Sequence, residues 1–90
     1  MIEIIGYVAA VLTTGAFLPQ AIKVIKTRNT KGISLYMYIF FVLGVSLWAV
    51  YGFLINDLAI ILANCVTLFF ALIILNFIIV NIVKEKTELY

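Results

Sequence analysis

Charged residues occur at only a few places along the chain, and long apolar runs fill the gaps between them. No charge lies between Ile4 and Ile22, between Ile33 and Asn56, or between Leu58 and Val83. These runs of about 19, 24 and 26 residues match the roughly 20 apolar residues that an α-helix needs to cross a bilayer, the longer two with some tilt. The apolar positions are continuous rather than alternating, which excludes strands of a membrane barrel, and an open sheet edge cannot stand in hydrocarbon. The pattern predicts an all-α membrane protein. Its single domain, residues 1–90, has spans at about 4–25, 34–55 and 58–82, a basic loop at 26–33 and a tail at 84–90.

Composition reinforces this reading. Hydrophobic residues make up 67% of the chain, charged residues 11%, and the mean hydropathy is +1.28. A soluble domain of this length has too little interior to hide so much apolar surface, whereas a lipid bilayer removes the need. The first run is too long for a secretory leader, has no basic segment before it and carries Glu3, so it is read as a retained span.

Charge sets the expected orientation. Lys23, Lys26, Arg28 and Lys31 crowd the first connection, and the other two basic residues, Lys84 and Lys86, follow the third run. Because cytoplasmic loops carry the Lys/Arg excess, the 26–33 loop and the C-terminus are expected in the cytoplasm and the N-terminus outside. The same asymmetry accounts for the net charge of +2 without a nucleic-acid partner.

Several chemistries find no residues to support them. Histidine is absent and Cys65 is alone, so neither a zinc site nor a Cys-His nucleophile can be assembled. There is no Gly-rich phosphate loop, and no cofactor is implied. The chain is not expected to be an enzyme, and Cys65 is expected to serve packing.

Polar side chains inside hydrocarbon are costly and therefore informative. The third run holds Asn64, Thr67, Asn76 and Asn81; Asn81 is expected at the interface and Asn76 in a hydrogen bond between helices. Trp48 lies deep in the second run, away from the interfacial belt that tryptophan prefers. Asn56 and Asp57 form a turn that makes the second and third helices antiparallel neighbours. Trp48 and Asn64 then sit at one depth, about 11–12 Å below the turn. A ring face and an amide with both donors and an acceptor suit a polyol better than an ion.

Met37, Phe41, Gly44, Trp48 and Tyr51 follow at spacings of four and three, so they share one helical face, read as the wall of a pathway. Gly44 leaves space beside Trp48. In the first run Gly6, Ala10 and Thr14 permit close helix approach, and Pro19 frees the carbonyl of Gly15, which makes either a kink or a hinge.

The segment Phe17-Leu18-Pro19-Gln20, followed by the basic loop and Gly32-Ile33-Ser34, is similar to the PQ-loop signature. With Trp48 and Asn64 in place behind it, nearly the whole chain resembles the bacterial SemiSWEET sugar transporters. That resemblance implies a parallel homodimer of three-helix bundles, a six-helix transporter in which the third helix packs between the first two. It implies sugar held between paired Trp48 and Asn64 residues, a hinge at Pro19 and Gln20, an outer gate at Tyr51 and Asp57, and an inner gate near Met37. An arginine that joins the outer gate in some relatives has no counterpart between Ile55 and Leu58. Two other readings stay open: a PQ-loop carrier of another small solute such as an amino acid, and a non-transporting membrane assembly subunit. The uncharged pocket disfavours a zwitterion, and the deep Trp, Asn and Pro disfavour a passive subunit.

Overall fold

The computed structural model describes residues 2–88, which form three helices: α1 (Ile2–Thr27), α2 (Leu35–Leu54) and α3 (Leu58–Glu88). All three are long and apolar enough to cross a membrane. They lie side by side in a flattened slab of 58 × 24 × 15 Å, with α3 in the middle. The backbones of α1 and α2 both pack on α3 and not on each other. α3 runs past the apolar segment to Glu88 because Lys84, Glu85, Lys86 and Thr87 contain no helix breaker.

Short-range chemistry closes both connections. At the end of α2, Asn56 takes a left-handed φ of 55°, its N–H donates to the carbonyl of Phe53, and the N–H of Asp57 donates to that of Gly52. This is a Schellman ending, and Asp57 immediately starts the next helix: its Oδ1 accepts from the N–H of Ile60 at 3.2 Å as an N-cap. Two residues thus reverse the chain. At the other end Gly32, with φ of 81°, occupies a turn closed by the Ile33 N–H donating to the Thr30 carbonyl, and Ser34 Oγ caps α2 by accepting from the Met37 N–H.

The core is uneven along the slab. At the basic-loop end Ala21 of α1 packs against Ile74 and Ile78 of α3, with Phe17, Tyr38 and Phe70 around them. Ahead of Ala21, no described residue of α1 is buried. At the turn end α2 meets α3 closely through Gly52, where an added Cβ would stand 2.8 Å from Ile60 Cγ2 and 3.1 Å from the Ile61 nitrogen. Gly6 of α1 approaches Ala59 in the same region, and the half-buried Ala10 and Thr14 extend that seam as their spacing predicts.

Two expectations about α3 are corrected by the packing. Cys65 is exposed on the protomer, not packed, because it lies on the side of α3 turned away from both neighbours. Asn76 is exposed as well and has no hydrogen-bond partner among the described residues, so it links no helices within one chain. The amide that bonds across the fold is Asn81, which ties α3 to the basic loop. Its Nδ2 donates to the Arg28 carbonyl at 3.0 Å and to Thr30 Oγ1 at 2.8 Å, and the Arg28 guanidinium stands 5.5 Å from the centre of the Phe77 ring.

Candidate substrate site

Trp48 and Asn64 line one cleft of about 490 Å³. Its floor is small-residue surface, Gly6, Ala9 and Ala10 of α1 with Ala59 and Ala63 of α3, and Thr13 completes it. The small residues have a physical consequence: where two helices carry no bulk, a concave surface remains between their neighbours. Helical spacing therefore builds both the α1–α3 seam and the space above it.

Two polar side chains of the cleft, Asn64 and Thr13, are partly engaged. Asn64 Nδ2 donates to the Ile60 carbonyl at 2.9 Å, one turn back on its own helix. This bond orients the amide and leaves its second N–H and its carbonyl oxygen for other partners. Thr13 Oγ1 donates to the Ala9 carbonyl at 3.0 Å, so its lone pairs are the part of the hydroxyl left to accept. Among the described residues no charged side chain lines the cleft. Sequence reading singled out Trp48 and Asn64 and not Thr13; the signal that would have found it is its position in the small-residue part of α1.

Trp48 is 56% exposed, and this number separates a binding platform from a core tryptophan, since a packed bundle residue would be covered. One edge of the ring is held by Tyr51, at a centroid distance of 5.7 Å and an interplanar angle of 84°. Beside it Gly44 is open: an added Cβ would find nothing within 4 Å. Gly44, Trp48 and Tyr51 border a second, shallower recess of about 560 Å³ continuous with the exposed face of α2.

The remaining candidate residues are spread along the molecule. Asp57 caps α3 and lines a separate polar recess of about 360 Å³ with Glu3, Tyr7 and Asn56, so within one protomer Tyr51 and Asp57 do not share a cleft. Met37 lies in the first turn of α2, 73% exposed and about 16 Å along the helix from Trp48. Pro19 and Gln20 are exposed within an α1 that remains helical through them. They stand just before Ala21, the first fully buried residue of α1 among those described. Among the described residues no group of His, Cys, Asp or Glu is placed to hold a metal ion.

Comparison with known proteins connects this arrangement to a family. The model of the PQ loop repeat matches residues 1–61. The "Sugar transporter SemiSWEET" of Leptospira biflexa serovar Patoc is 61% identical over 77 residues, covering 86% of this chain and 91% of that protein. The protein of the same name from Escherichia coli (strain UMEA 3162-1) is 51% identical, over 84% of this chain and 85% of its own length. A crystal structure of SemiSWEET in the inward-open conformation superposes with a TM-score of 0.91 at 48% identity, covering 96% of this chain and 92% of that one. Three apolar helices in the order α1-α3-α2, a Pro-Gln pair in the first and full-length similarity to these proteins agree: the chain belongs to the PQ-loop family and, within it, to the SemiSWEET proteins.

Proposed function

We propose that this protein is a sugar uniporter, in which two parallel copies enclose one pathway and carry a mono- or disaccharide down its gradient by alternating access. The observation that carries the reading is the shared cleft of an uncovered Trp48 ring and a half-satisfied Asn64 amide. Sugars present C–H faces that stack on aromatic rings and hydroxyls that both donate and accept, and the cleft offers those partners without a charge. One slab cannot surround a solute; a second, related by a two-fold axis along the membrane normal, would supply a second Trp48 and Asn64 on the far side.

Other residues take their roles from position. Pro19 and Gln20 act as the hinge of α1, since the helix lacks one backbone bond there and its first fully buried residue, Ala21, follows directly. Tyr51 and Asp57 form the outer gate, meeting across the dimer axis, and Met37 narrows the inner end. The basic loop faces the cytoplasm. No acidic residue or histidine lies between Glu3 and Asp57 or between Asp57 and Glu85, so no side chain is available to relay a proton, and transport is facilitated diffusion.

The test is uptake by liposomes containing the purified protein, with a panel of labelled sugars and amino acids, each with and without imposed pH, sodium or voltage gradients. Saturable sugar uptake that stops at the external concentration is expected. Accumulation above it would reveal coupling, and uptake of amino acids alone would replace sugar as the substrate class.

A further inference from the structure

The cleft takes one polar side chain from each helix: Trp48 from α2, Asn64 from α3 and Thr13 from α1. Gly6 lies level with Ala59, and α1 and α3 run in the same direction. Thr13 is seven residues past Gly6 and Asn64 five past Ala59, so their depths differ by about 3 Å. Thr13 is exposed on the protomer. Its hydroxyl donates to the Ala9 carbonyl at 3.0 Å, with the Ala10 carbonyl at 3.4 Å, so its one proton is committed within α1. Only its lone pairs remain for the cleft.

Resting on the sugar-transport reading, we propose that Thr13 is a further sugar-binding residue, which accepts a hydrogen bond from one hydroxyl of the sugar. Each sugar hydroxyl has one proton to place, and leaving it unpaired out of water is costly. The indole N–H of Trp48 only donates. The acceptors among the described lining side chains are therefore the Asn64 carbonyl oxygen and Thr13 Oγ1. Thr13 thus doubles the acceptor groups of each protomer and sets the second one on another helix. The selectivity that follows is for a group that donates: at the ring position facing Thr13 a hydroxyl is bound, whereas hydrogen in its place makes no bond. Thr13 also ties the sugar to the part of α1 that precedes Pro19, the part the proposed hinge carries.

The neighbouring threonine provides a matched control. Thr14 is half-buried and lines a different, apolar groove with Tyr7, Val11 and Leu62, not the cleft. Trp48 is the sole tryptophan, so its fluorescence reports occupancy of the cleft without transport. The experiment titrates the purified full-length protein in detergent with glucose and with sucrose. Thr13→Val, which keeps the shape and removes the hydroxyl, should weaken binding about fivefold or more, and Thr13→Ala should do the same. Thr13→Ser, which keeps the hydroxyl, should bind as the parent does, and so should Thr14→Val. Among monodeoxy forms of the tighter-binding sugar, one should lose affinity for the parent but not for Thr13→Val. Unchanged affinity in Thr13→Val, an equal loss in Thr13→Ser or Thr14→Val, or the same deoxy-sugar ranking in Thr13→Val as in the parent would overturn the assignment. A parent that neither binds nor takes up either sugar would overturn it together with the transport reading. Absence of uptake with this binding pattern intact would support Thr13 as a sugar ligand and count against transport alone.

Discussion

The two ends of the slab are finished to different degrees. At the basic-loop end one chain completes its own packing: Ala21, Ile74 and Ile78 are buried, and Asn81 moors the loop to α3. Toward the turn, α1 from Ile2 to Gln20 buries nothing fully, Trp48 is open, and Val11 and Leu12 are 70% and 67% exposed. Pro19 separates the two regimes. A helix that is buried after a proline and at most half-buried before it, where Gly6, Ala10 and Thr14 form a seam of small side chains with α3, loses little buried bulk when its first part tilts. The end that packs itself acts as a foundation; the end left open is where, in the proposed dimer, a second chain would complete the pathway and the pathway could change shape.

The comparison breaks most visibly at the open end. Trp48→Ala should abolish sugar uptake while leaving the protein inserted and dimeric, since an exposed ring contributes little to the fold; Asn64→Ala should do nearly the same. Uptake at the parent's rate in either variant would remove the cleft from the pathway. A pair of glycines sharpens the contrast on one helix. Gly52→Ala meets the Ile61 backbone and should cost about 1–3 kcal/mol of stability, read as a lower melting temperature in detergent. Gly44→Ala meets nothing and should leave melting unchanged or raise it slightly, alanine being the better helix former.

Two milder variants probe the border and the foundation. Pro19→Ala should slow uptake more than it weakens sugar binding, measured side by side; uptake as fast as the parent's would make Pro19 a static kink. Asn81→Leu removes two hydrogen bonds at the basic loop and should lower stability by about 1–2 kcal/mol while the folded fraction still transports. Loss of transport without loss of stability would show that the loop moves with α1.

Much of this was legible in the chain. Three helices follow from charge gaps, because hydrocarbon excludes charge whatever the tertiary packing. The shared depth of Trp48 and Asn64 follows from the two-residue Asn56-Asp57 turn, which sets the register of α2 against α3. Spacing along one helix carries no azimuth relative to the others, and the errors arose there. Asn76, expected to join helices, is exposed, whereas Asn81 lies at the basic-loop end where its position in the chain puts it and also holds the loop. Cys65 was misplaced for the same reason. In lipid an outward face is as apolar as an inward one, so periodicity does not distinguish them. Thr13 and Gly52 were missed because their significance depends on which helix stands opposite.

The central claim is that one sugar is held by two chains at once, and mixed dimers test it most directly. Parent and Trp48→Ala chains bearing different tags can be co-expressed, purified through both tags and placed in liposomes for sugar uptake. A shared pathway predicts that one Trp48→Ala chain per dimer lowers uptake nearly as far as two do. Uptake at half the parent's rate would mean that each chain carries sugar by itself, and would contradict the account.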